Sequence, residues 1–251
     1  MPSSGPSMLR RAVPTGCTLL NLAAGGTCLL LLARSDPASP SSDPALLAAG
    51  LILIGAGFDA VDGVLARAAG VASPFGRELD SLADIVTFGA APAALAWFVG
   101  HALDASAPVT VLLGAAAALY LAAAAWRLAR YNIRQGTASA RTGRFGGLTA
   151  PGGGCLLASV AAYALEQGLP ADSGVVLAVL LGVLAGCMVS DLPYVHASRL
   201  MRDRRLRWGS LLVIAAALLA TRGDLIPTAV LLGLAYLLMG PIALLYSTVA
   251  R

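Results

Sequence analysis

Eight runs of apolar residues, separated by short polar segments, cover most of the chain. They span residues 15–33, 45–66, 79–100, 108–126, 151–166, 174–190, 209–221 and 225–247. A helix needs roughly 20 apolar residues to cross a bilayer, so the pattern predicts an all-α, polytopic transmembrane bundle. The seventh run is the weakest, because only 14 residues separate Arg207 from Arg222. Whether that run crosses the whole bilayer is left open.

The composition supports a membrane protein. Hydrophobic residues make up 58% of the chain and charged residues 12%, with a mean hydropathy of +0.79. A soluble domain usually carries about 25% charged residues, so a water-soluble globule is excluded. The run that begins near residue 15 could also be a signal peptide. We interpret it as the first spanning helix, since Asn21 and nearby glycines recur in a motif described below.

The arginines predict the orientation of the spans. All 17 basic residues are arginines. If the N-terminus is cytoplasmic and eight spans alternate, fifteen arginines lie inside and only Arg34 and Arg222 lie outside. The positive-inside rule therefore places the N-terminus in the cytoplasm. The lysine-free composition suggests a GC-rich genome. The expected location is a prokaryotic inner, or cytoplasmic, membrane. Anionic lipids are the expected partners of these arginines and nucleic acid is not, because the arginines lie between apolar segments.

The four cysteines, Cys17, Cys28, Cys155 and Cys187, stand in apolar stretches without a CxxC pair. We interpret them as small buried hydrophobic residues rather than as disulfides or a zinc site.

Two pairs of aspartates carry the candidate chemistry. Asp59 and Asp62 end the second run, and Asp80 and Asp84 begin the third. Spacings of three and four residues place each pair on one helix face. Since consecutive spans run in opposite directions, both pairs should meet near the cytoplasmic interface. Four carboxylates there would repel one another unless divalent cations bind between them. Oxygen ligands without nearby His or Cys favour two Mg²⁺ or Mn²⁺ ions over Zn²⁺.

Two other interpretations of these aspartates stay open. They could flank helix ends in solvent, although two matching pairs on consecutive helices argue against this. They could also line a cation or proton pathway of an ion-coupled transporter. Such a pathway needs acids at several depths, and no internal repeat of the kind found in many transporters is evident.

The spacing around these aspartates resembles the complete signature of the CDP-alcohol phosphotransferases. The run reads Asp59-x-x-Asp62-Gly63-x-x-Ala66-Arg67, then eight residues, then Gly76-x-x-x-Asp80-x-x-x-Asp84. That family transfers the phosphatidyl or phospho-alcohol half of a CDP-linked donor to an alcohol and releases CMP.

The resemblance implies a role for each residue of the motif. Asp59, Asp62 and Asp80 would hold one metal ion, and Asp59, Asp80 and Asp84 the second. Asp84 would also take the proton of the attacking hydroxyl. The residues implied to contact the CDP-lipid are Thr18, Asn21, Gly63, Ala66, Arg67 and Gly76: Gly63 and Ala66 by leaving room for cytidine, Arg67 by holding the diphosphate, and Gly76 by allowing close packing.

Further segments resemble the phosphatidylserine synthase branch of that family. They are Glu78 to Pro92, Arg127 to Asn132, Phe145 to Gly154, Val189 to Tyr194, and Thr18-x-x-Asn21. The chain departs from the branch pattern at a few positions. Pro14-Thr15 stands for Pro-Asn, Thr149 stands for a proline, and Gly152 and Gly153 stand for small alanines.

The branch implies CDP-diacylglycerol as donor and L-serine as acceptor. An arginine is the usual bidentate partner of a carboxylate, so Arg127, Arg130 and Asn132, at the cytoplasmic end of the fourth span, are the candidate serine-binding residues. Either arginine could instead only anchor the helix at the interface. Glycerol 3-phosphate and inositol phosphate remain alternative acceptors, and each would need a phosphate-binding set of arginines.

The predicted organisation has three parts. Residues 1–13 form a cytoplasmic tail, residues 14–200 a six-helix catalytic core, and residues 201–251 a C-terminal two-helix hairpin. The sequence leaves the oligomeric state open, a homodimer included.

Overall fold

The computed structural model describes residues 8–37, 42–70, 73–103, 106–135, 146–168, 173–194 and 204–249. In these ranges the chain is helical apart from turns and one isolated bridge between Gly146 and Pro193. The helices are α1 Met8–Ala33, α2 Ser42–Ala69, α3 Pro74–Asp84, a π-helical turn Ile85–Ala90, α4 Ala91–Leu103, α5 Ala107–Gln135, α6 Ala150–Glu166, α7 Ser173–Val189, α8 Arg204–Ala220 and α9 Leu225–Val249. All eight apolar runs fall on helices, which confirms the predicted all-α class.

Five helical segments are long and apolar enough to cross a membrane. They are Ala12–Ala33, Asp43–Ala66, Pro74–Leu103, Ala107–Ile133 and Leu225–Leu245. Helices α6, α7 and α8 have 17 residues each, which is about the minimum for a spanning helix. The apolar part of α8 is shorter still, Ser210–Ala220, in keeping with the weakness of the seventh run. The chain is an integral membrane protein.

The segment Pro74–Leu103, formed by α3, the π-turn and α4, is the axis of the bundle. It is 67% buried inside the protein, whereas the other four long spans are between 17% and 33% buried. Helices α1, α2, α5, α6 and α7 all contact it. Many of its buried neighbours are alanines, and small side chains let helix backbones approach closely in a membrane. The segment that carries Asp80 and Asp84 is therefore held from several sides.

Thr87 joins α1, α2 and the π-turn at one point. Its hydroxyl donates to the carbonyl oxygen of Asn21 at 2.8 Å. A Cβ on Gly25 would lie 2.5 Å from the Thr87 hydroxyl oxygen, and a Cβ on Gly55 would lie 2.6 Å from its methyl carbon. Because real Cβ atoms do not approach so closely, glycine is required at both positions.

This contact predicts that Gly25→Ala destabilises the protein while its neighbour Gly26→Ala does not. An alanine at 25 would push Thr87 and α1 apart, and overpacking of this kind costs about 1–3 kcal/mol. A Cβ on Gly26 meets nothing within 4 Å, so Gly26→Ala should be neutral or slightly stabilising. Thermal unfolding of the two purified variants in one detergent measures the difference. Equal midpoints would show that Gly25 of α1 and Thr87 are not in close contact.

The π-turn begins directly after Asp84. The buried Tyr120 of α5 donates its hydroxyl to the carbonyl oxygen of Phe88 at 2.8 Å. A π-turn changes the helical register, and such turns occur frequently at functional sites. Here it rotates the helix face of the residues that follow Asp84 relative to the face that carries Asp80 and Asp84.

Candidate active site

Three predicted metal ligands lie together where α2 and α3 meet. Carboxylate oxygens of Asp59, Asp62 and Asp80 all lie within 4.8 Å of one another. Asp59 and Asp62 are near the C-terminal end of α2, and Asp80 is in the second half of α3. The convergence expected from the spacing of the aspartates is thus present for these three residues.

Asp84 lies one turn further along α3 and is 7% exposed. One of its carboxylate oxygens accepts a hydrogen bond from the Asn21 side-chain amide at 3.4 Å. Its charge interacts unfavourably with Asp59, Asp80 and Asp62. Asp84 therefore belongs to the same electrostatic cluster, although the three-carboxylate group within 4.8 Å does not include it.

Helix α1 supplies polar partners to this cluster. The Thr18 hydroxyl donates to Asp62 at 2.8 Å, and Asn21 donates to Asp84. Thr18 and Asn21 are 5% and 0% exposed. Both were predicted to contact the CDP-lipid. In the structure their side chains orient carboxylates, and the lipid contact stays a prediction.

The cluster fits divalent cations. One carboxylate oxygen of Asp80 and the side-chain oxygen of Asn21 are buried, and neither has a hydrogen-bond partner. Buried polar atoms rarely lack a partner, and mutually repelling carboxylates need a compensating positive charge. The donor set consists of oxygen atoms, which Mg²⁺ and Mn²⁺ prefer. An unsatisfied oxygen of Asp80 thus coincides with excess negative charge, whereas the unsatisfied oxygen of Asn21 lies beside Gly55.

The other residues of the motif lie on the same two helices as the aspartates. Gly63 and Ala66 are half-buried on α2 just beyond Asp62. Gly76 lies in the first turn of α3, where its amide donates to the Ser73 hydroxyl at 3.0 Å. Arg67 is on the last turns of α2, and its side chain lies outside the part that the structure describes.

Arg127 is a buried arginine beside the cluster. It is 8% exposed, and its guanidinium lies 6.0 Å from the centre of the Tyr131 ring. Its charge interacts favourably with Asp84 and Asp59. Among the described residues its guanidinium has no hydrogen bond and no ion pair. Apart from the Tyr131 ring, the described residues leave the N–H groups of this guanidinium free to bind an anionic ligand.

Arg130 differs from Arg127, because protein atoms already engage its guanidinium. It donates to the carbonyl oxygens of Val189 at 2.9 Å and Ser190 at 3.0 Å, and at 3.4 Å to those of Met188 and Gly146. It also pairs with Asp191 at 3.4 Å. These contacts satisfy carbonyls at the C-terminal end of α7, where a cation is favourable. Arg130 thus fastens α5 to α7 and to the segment before α6.

Asn132 also bridges two helices. Its side-chain amide donates to the Ser81 hydroxyl of α3 at 2.9 Å, and Ser81 donates to the carbonyl oxygen of Arg77 at 3.0 Å. Asn132 therefore ties the end of α5 to the helix that carries Asp80 and Asp84.

Reasoning from the sequence did not assign roles to Thr87, Thr149 or Tyr236. Thr87 lies within a segment quoted for the family resemblance, yet only the helix crossing shows its contact with Asn21. Tyr236 lies in the last apolar run, and its hydroxyl is 3.2 Å from that of Thr149. A tyrosine near the middle of an apolar span was the available signal, because a buried phenol needs a polar partner.

The fold is an all-α membrane bundle, and the site is a cluster of aspartates on two consecutive helices. Together they are typical of membrane enzymes that transfer a phosphate-linked group with the help of metal ions. The chain belongs to the CDP-alcohol phosphatidyltransferase family, and a sequence model of that family matches residues 11–186. The match includes α2 to α6, with every aspartate of the cluster, and most of α1 and α7.

Several relatives share one name, CDP-diacylglycerol–serine O-phosphatidyltransferase. The protein of Mycobacterium leprae is 34% identical over 170 residues, which are 66% of this chain and 52% of the relative. That of Methanocaldococcus jannaschii is 32% identical over 183 residues, 70% of either chain. That of Helicobacter pylori is 33% identical over 166 residues, 64% of this chain and 63% of the relative. The similarity thus spans about half of the mycobacterial relative and more of the other two.

Proposed function

We propose that this protein transfers the phosphatidyl group of CDP-diacylglycerol to L-serine, giving phosphatidylserine and CMP. The observation that carries the proposal is the carboxylate cluster of Asp59, Asp62 and Asp80 in a chain of this family. The names of the relatives support serine as the acceptor.

Two divalent ions, Mg²⁺ or Mn²⁺, are the proposed cofactors. Asp59, Asp62 and Asp80 would hold one ion, and Asp59, Asp80 and Asp84 the other. When bound, such ions neutralise a diphosphate and stabilise charge on the attacking and leaving oxygens. The buried oxygen of Asp80 that lacks a partner supports this assignment.

The residues of the chain then have distinct tasks in the transfer. The serine hydroxyl oxygen forms a bond to the phosphorus of the phosphatidyl group, the bond from that phosphorus to the CMP oxygen breaks, and CMP leaves with the bonding electrons. Asp84 accepts the hydroxyl proton as general base. The hydrogen bond from Asn21 to one Asp84 oxygen restrains the carboxylate in the position where it acts.

Arg127 is the proposed partner of the serine carboxylate. It is buried, its charge interacts favourably with Asp84, and apart from the Tyr131 ring it has no hydrogen bond or ion pair among the described residues. A carboxylate held there would keep the serine hydroxyl close to the proposed base. Arg130 and Asn132, also predicted to bind serine, support this site by holding α5 against α7 and α3.

An assay of the purified protein with a panel of alcohols tests the proposal. With CDP-diacylglycerol and Mg²⁺ or Mn²⁺, labelled L-serine should yield phosphatidylserine and an equal amount of CMP, and a chelator should stop both. If glycerol 3-phosphate or inositol phosphate outcompeted serine, the acceptor would be wrong and the chemistry would stand. If no CMP were released with any alcohol, the proposed enzymatic function would be wrong, and an ion-coupled transporter would become the better hypothesis.

We also propose that the active site faces the cytoplasm, on the evidence of the arginine asymmetry. Segments 67–77 and 134–150 should then be inside. Ala72→Cys and Ala140→Cys, at positions outside the described residues, test this on a background without the four native cysteines. Both should react with an impermeant thiol reagent only after the cells are permeabilised. Labelling in intact cells would reverse the topology.

A further inference from the structure

We infer that Thr18 and Thr87 are positioning residues, and that each one controls the binding of a different metal ion. Thr18 acts on Asp62 directly, and Thr87 acts on Asp84 through Asn21. The inference rests on the proposed function, in which two aspartates are shared by both ions and two are not. Asp62 and Asp84 are the unshared pair, and each belongs to one ion only.

Helix α1 forms hydrogen bonds with both unshared aspartates. The Thr18 hydroxyl donates to an oxygen of Asp62 on α2 at 2.8 Å, and the Asn21 amide donates to an oxygen of Asp84 on α3 at 3.4 Å. Thr18 and Asn21 are three residues apart and therefore lie on one face of α1. Among the described residues, no hydrogen bond joins α1 to either shared aspartate. Helix α1 thus restrains one ligand of each ion.

The Thr18 hydroxyl has two possible acceptors. Its oxygen also lies 3.2 Å from the carbonyl oxygen of Pro14, but a hydroxyl has only one proton to donate. The contact with Asp62 is shorter, and a hydrogen bond to an ionised group is roughly twice as strong as one between neutral groups. Thr18 and Asp62 are both buried, so water has little access to this bond. The Thr18 proton therefore restrains the Asp62 carboxylate.

Thr87 fixes the backbone of Asn21. Its hydroxyl donates to the Asn21 carbonyl oxygen at 2.8 Å. In an α-helix that carbonyl also accepts the amide of residue 25, and a carbonyl oxygen has a second lone pair for the hydroxyl. The hydroxyl can reach it because residue 25 is a glycine, on which a Cβ would lie 2.5 Å from the Thr87 oxygen.

The side chain of Asn21 is held from a second direction by α2. A Cβ on Gly55 would lie 2.9 Å from the Asn21 side-chain oxygen and 2.6 Å from the Thr87 methyl carbon. The oxygen of the amide therefore packs against α2, while its nitrogen donates to Asp84. Thr87 is three residues after Asp84 on the same segment, so the backbone and the side chain of Asn21 join this segment at two successive points.

These contacts predict separate effects on the two ions. Hydrogen-bond partners of metal ligands hold the ligands in the orientation that binds, and their loss typically lowers metal affinity about 10- to 100-fold. Thr18 restrains a ligand of one ion, and Thr87 restrains a ligand of the other. Loss of either hydroxyl should therefore weaken one ion and leave the other nearly unchanged.

Thr18→Val and Thr87→Val test the inference, because valine has the shape of threonine without the hydroxyl. Mn²⁺ binding to the purified protein is measured from the electron paramagnetic resonance signal of the free ion. Each variant should weaken one of two Mn²⁺ sites roughly tenfold and leave the other within about twofold. Thr18→Ser and Thr87→Ser, which keep the hydroxyl and lose the methyl group, should restore binding.

Ser159→Ala is the matched control. The Ser159 hydroxyl is also buried, but it donates to the carbonyl oxygen of Cys155 within its own helix at 2.8 Å. Its removal should leave both Mn²⁺ sites unchanged. If Ser159→Ala weakened Mn²⁺ binding as much as the valine variants do, the effect would be a general loss of packing and the inference would be wrong.

Two aspartate variants identify the ion that each hydroxyl controls. In Asp62→Asn, the further change Thr18→Val should add little loss of Mn²⁺ affinity, whereas Thr87→Val should still weaken the remaining ion. In Asp84→Asn the two threonine variants should exchange these effects. Residues that act through one contact are not additive, and independent ones are. Additive losses in all four combinations would overturn the inference.

The outcomes separate this inference from the proposed function. If the wild type makes phosphatidylserine and neither valine variant changes Mn²⁺ binding, the inference is wrong and the function stands. If the wild type binds two Mn²⁺ ions but releases no CMP, the function is wrong and Mn²⁺ binding alone decides the inference. Fewer than two ions in the wild type would refute both. If a valine variant cannot be purified, the alanine variant at that position replaces it, and unchanged binding there overturns the inference.

Discussion

Asp59→Asn and Asp80→Asn should each abolish turnover. Both aspartates are proposed to bridge the two ions, and their oxygens lie within 4.8 Å of Asp62. An amide has nearly the shape of a carboxylate but no negative charge, so each substitution weakens both ions at once. CMP release from CDP-diacylglycerol and serine, measured at saturating metal, gives the result. Activity within about tenfold of the wild type in either variant would contradict the two-metal assignment.

Glu78→Gln is the control for these variants. Glu78 is exposed and lies on α3 two residues before Asp80, so it faces a different side of the helix. The substitution removes one negative charge near the cluster without changing a proposed ligand. It should retain activity close to that of the wild type, which would show that net charge alone does not explain the loss.

Asp80→Asn should be more stable than the wild type without metal, and it should gain less stability than the wild type when metal binds. Without divalent ions, Asp80→Asn should raise the thermal midpoint, because it removes one of several mutually repelling carboxylates. With Mn²⁺ present, the wild type should gain more stability than the variant, because a ligand that binds more tightly stabilises the folded state more. If Mn²⁺ left the thermal midpoints of both the wild type and Asp80→Asn unchanged, the aspartates would bind no metal.

Arg127→Lys should raise the KM for serine far more than that for CDP-diacylglycerol. A guanidinium offers a carboxylate two parallel donors, which an ammonium cannot reproduce. The expected loss is about 1.5–3 kcal/mol, typical of hydrogen bonds to charged groups, or roughly 10- to 100-fold in serine affinity. Ethanolamine lacks the carboxylate, so its use should be poor in the wild type and little changed in the variant. Small, equal effects on both KM values would leave Arg127 as an interfacial anchor.

Arg130→Lys provides the contrast within the same helix turn. An ammonium cannot replace the four carbonyl contacts and the Asp191 pair, so the thermal midpoint should fall. The serine KM should change much less than in Arg127→Lys. A larger serine effect at Arg130 than at Arg127 would reverse the roles proposed for the two arginines.

The sequence by itself determined the helices and the place of the aspartates. A backbone in lipid must form its N–H to C=O hydrogen bonds internally. Long apolar runs that cross a bilayer are therefore helical. Asp59 and Asp62, and likewise Asp80 and Asp84, share helix faces because of the helical period, and consecutive spans bring their ends to one side. These are local rules, and the convergence of Asp59, Asp62 and Asp80 follows from them.

The tertiary structure alone distinguished residues of the same type. Arg127 and Arg130 are equivalent in the sequence, three residues apart on one helix, but only Arg130 meets the end of α7. The contacts of Thr87 with Asn21 and of Tyr236 with Thr149 join residues 66 and 87 positions apart. In lipid, hydrophobicity does not select which helix faces meet, because the surrounding chains are as apolar as the helices. Close packing of small residues such as Gly25, Gly55 and Gly152 selects them, and that packing depends on the whole bundle.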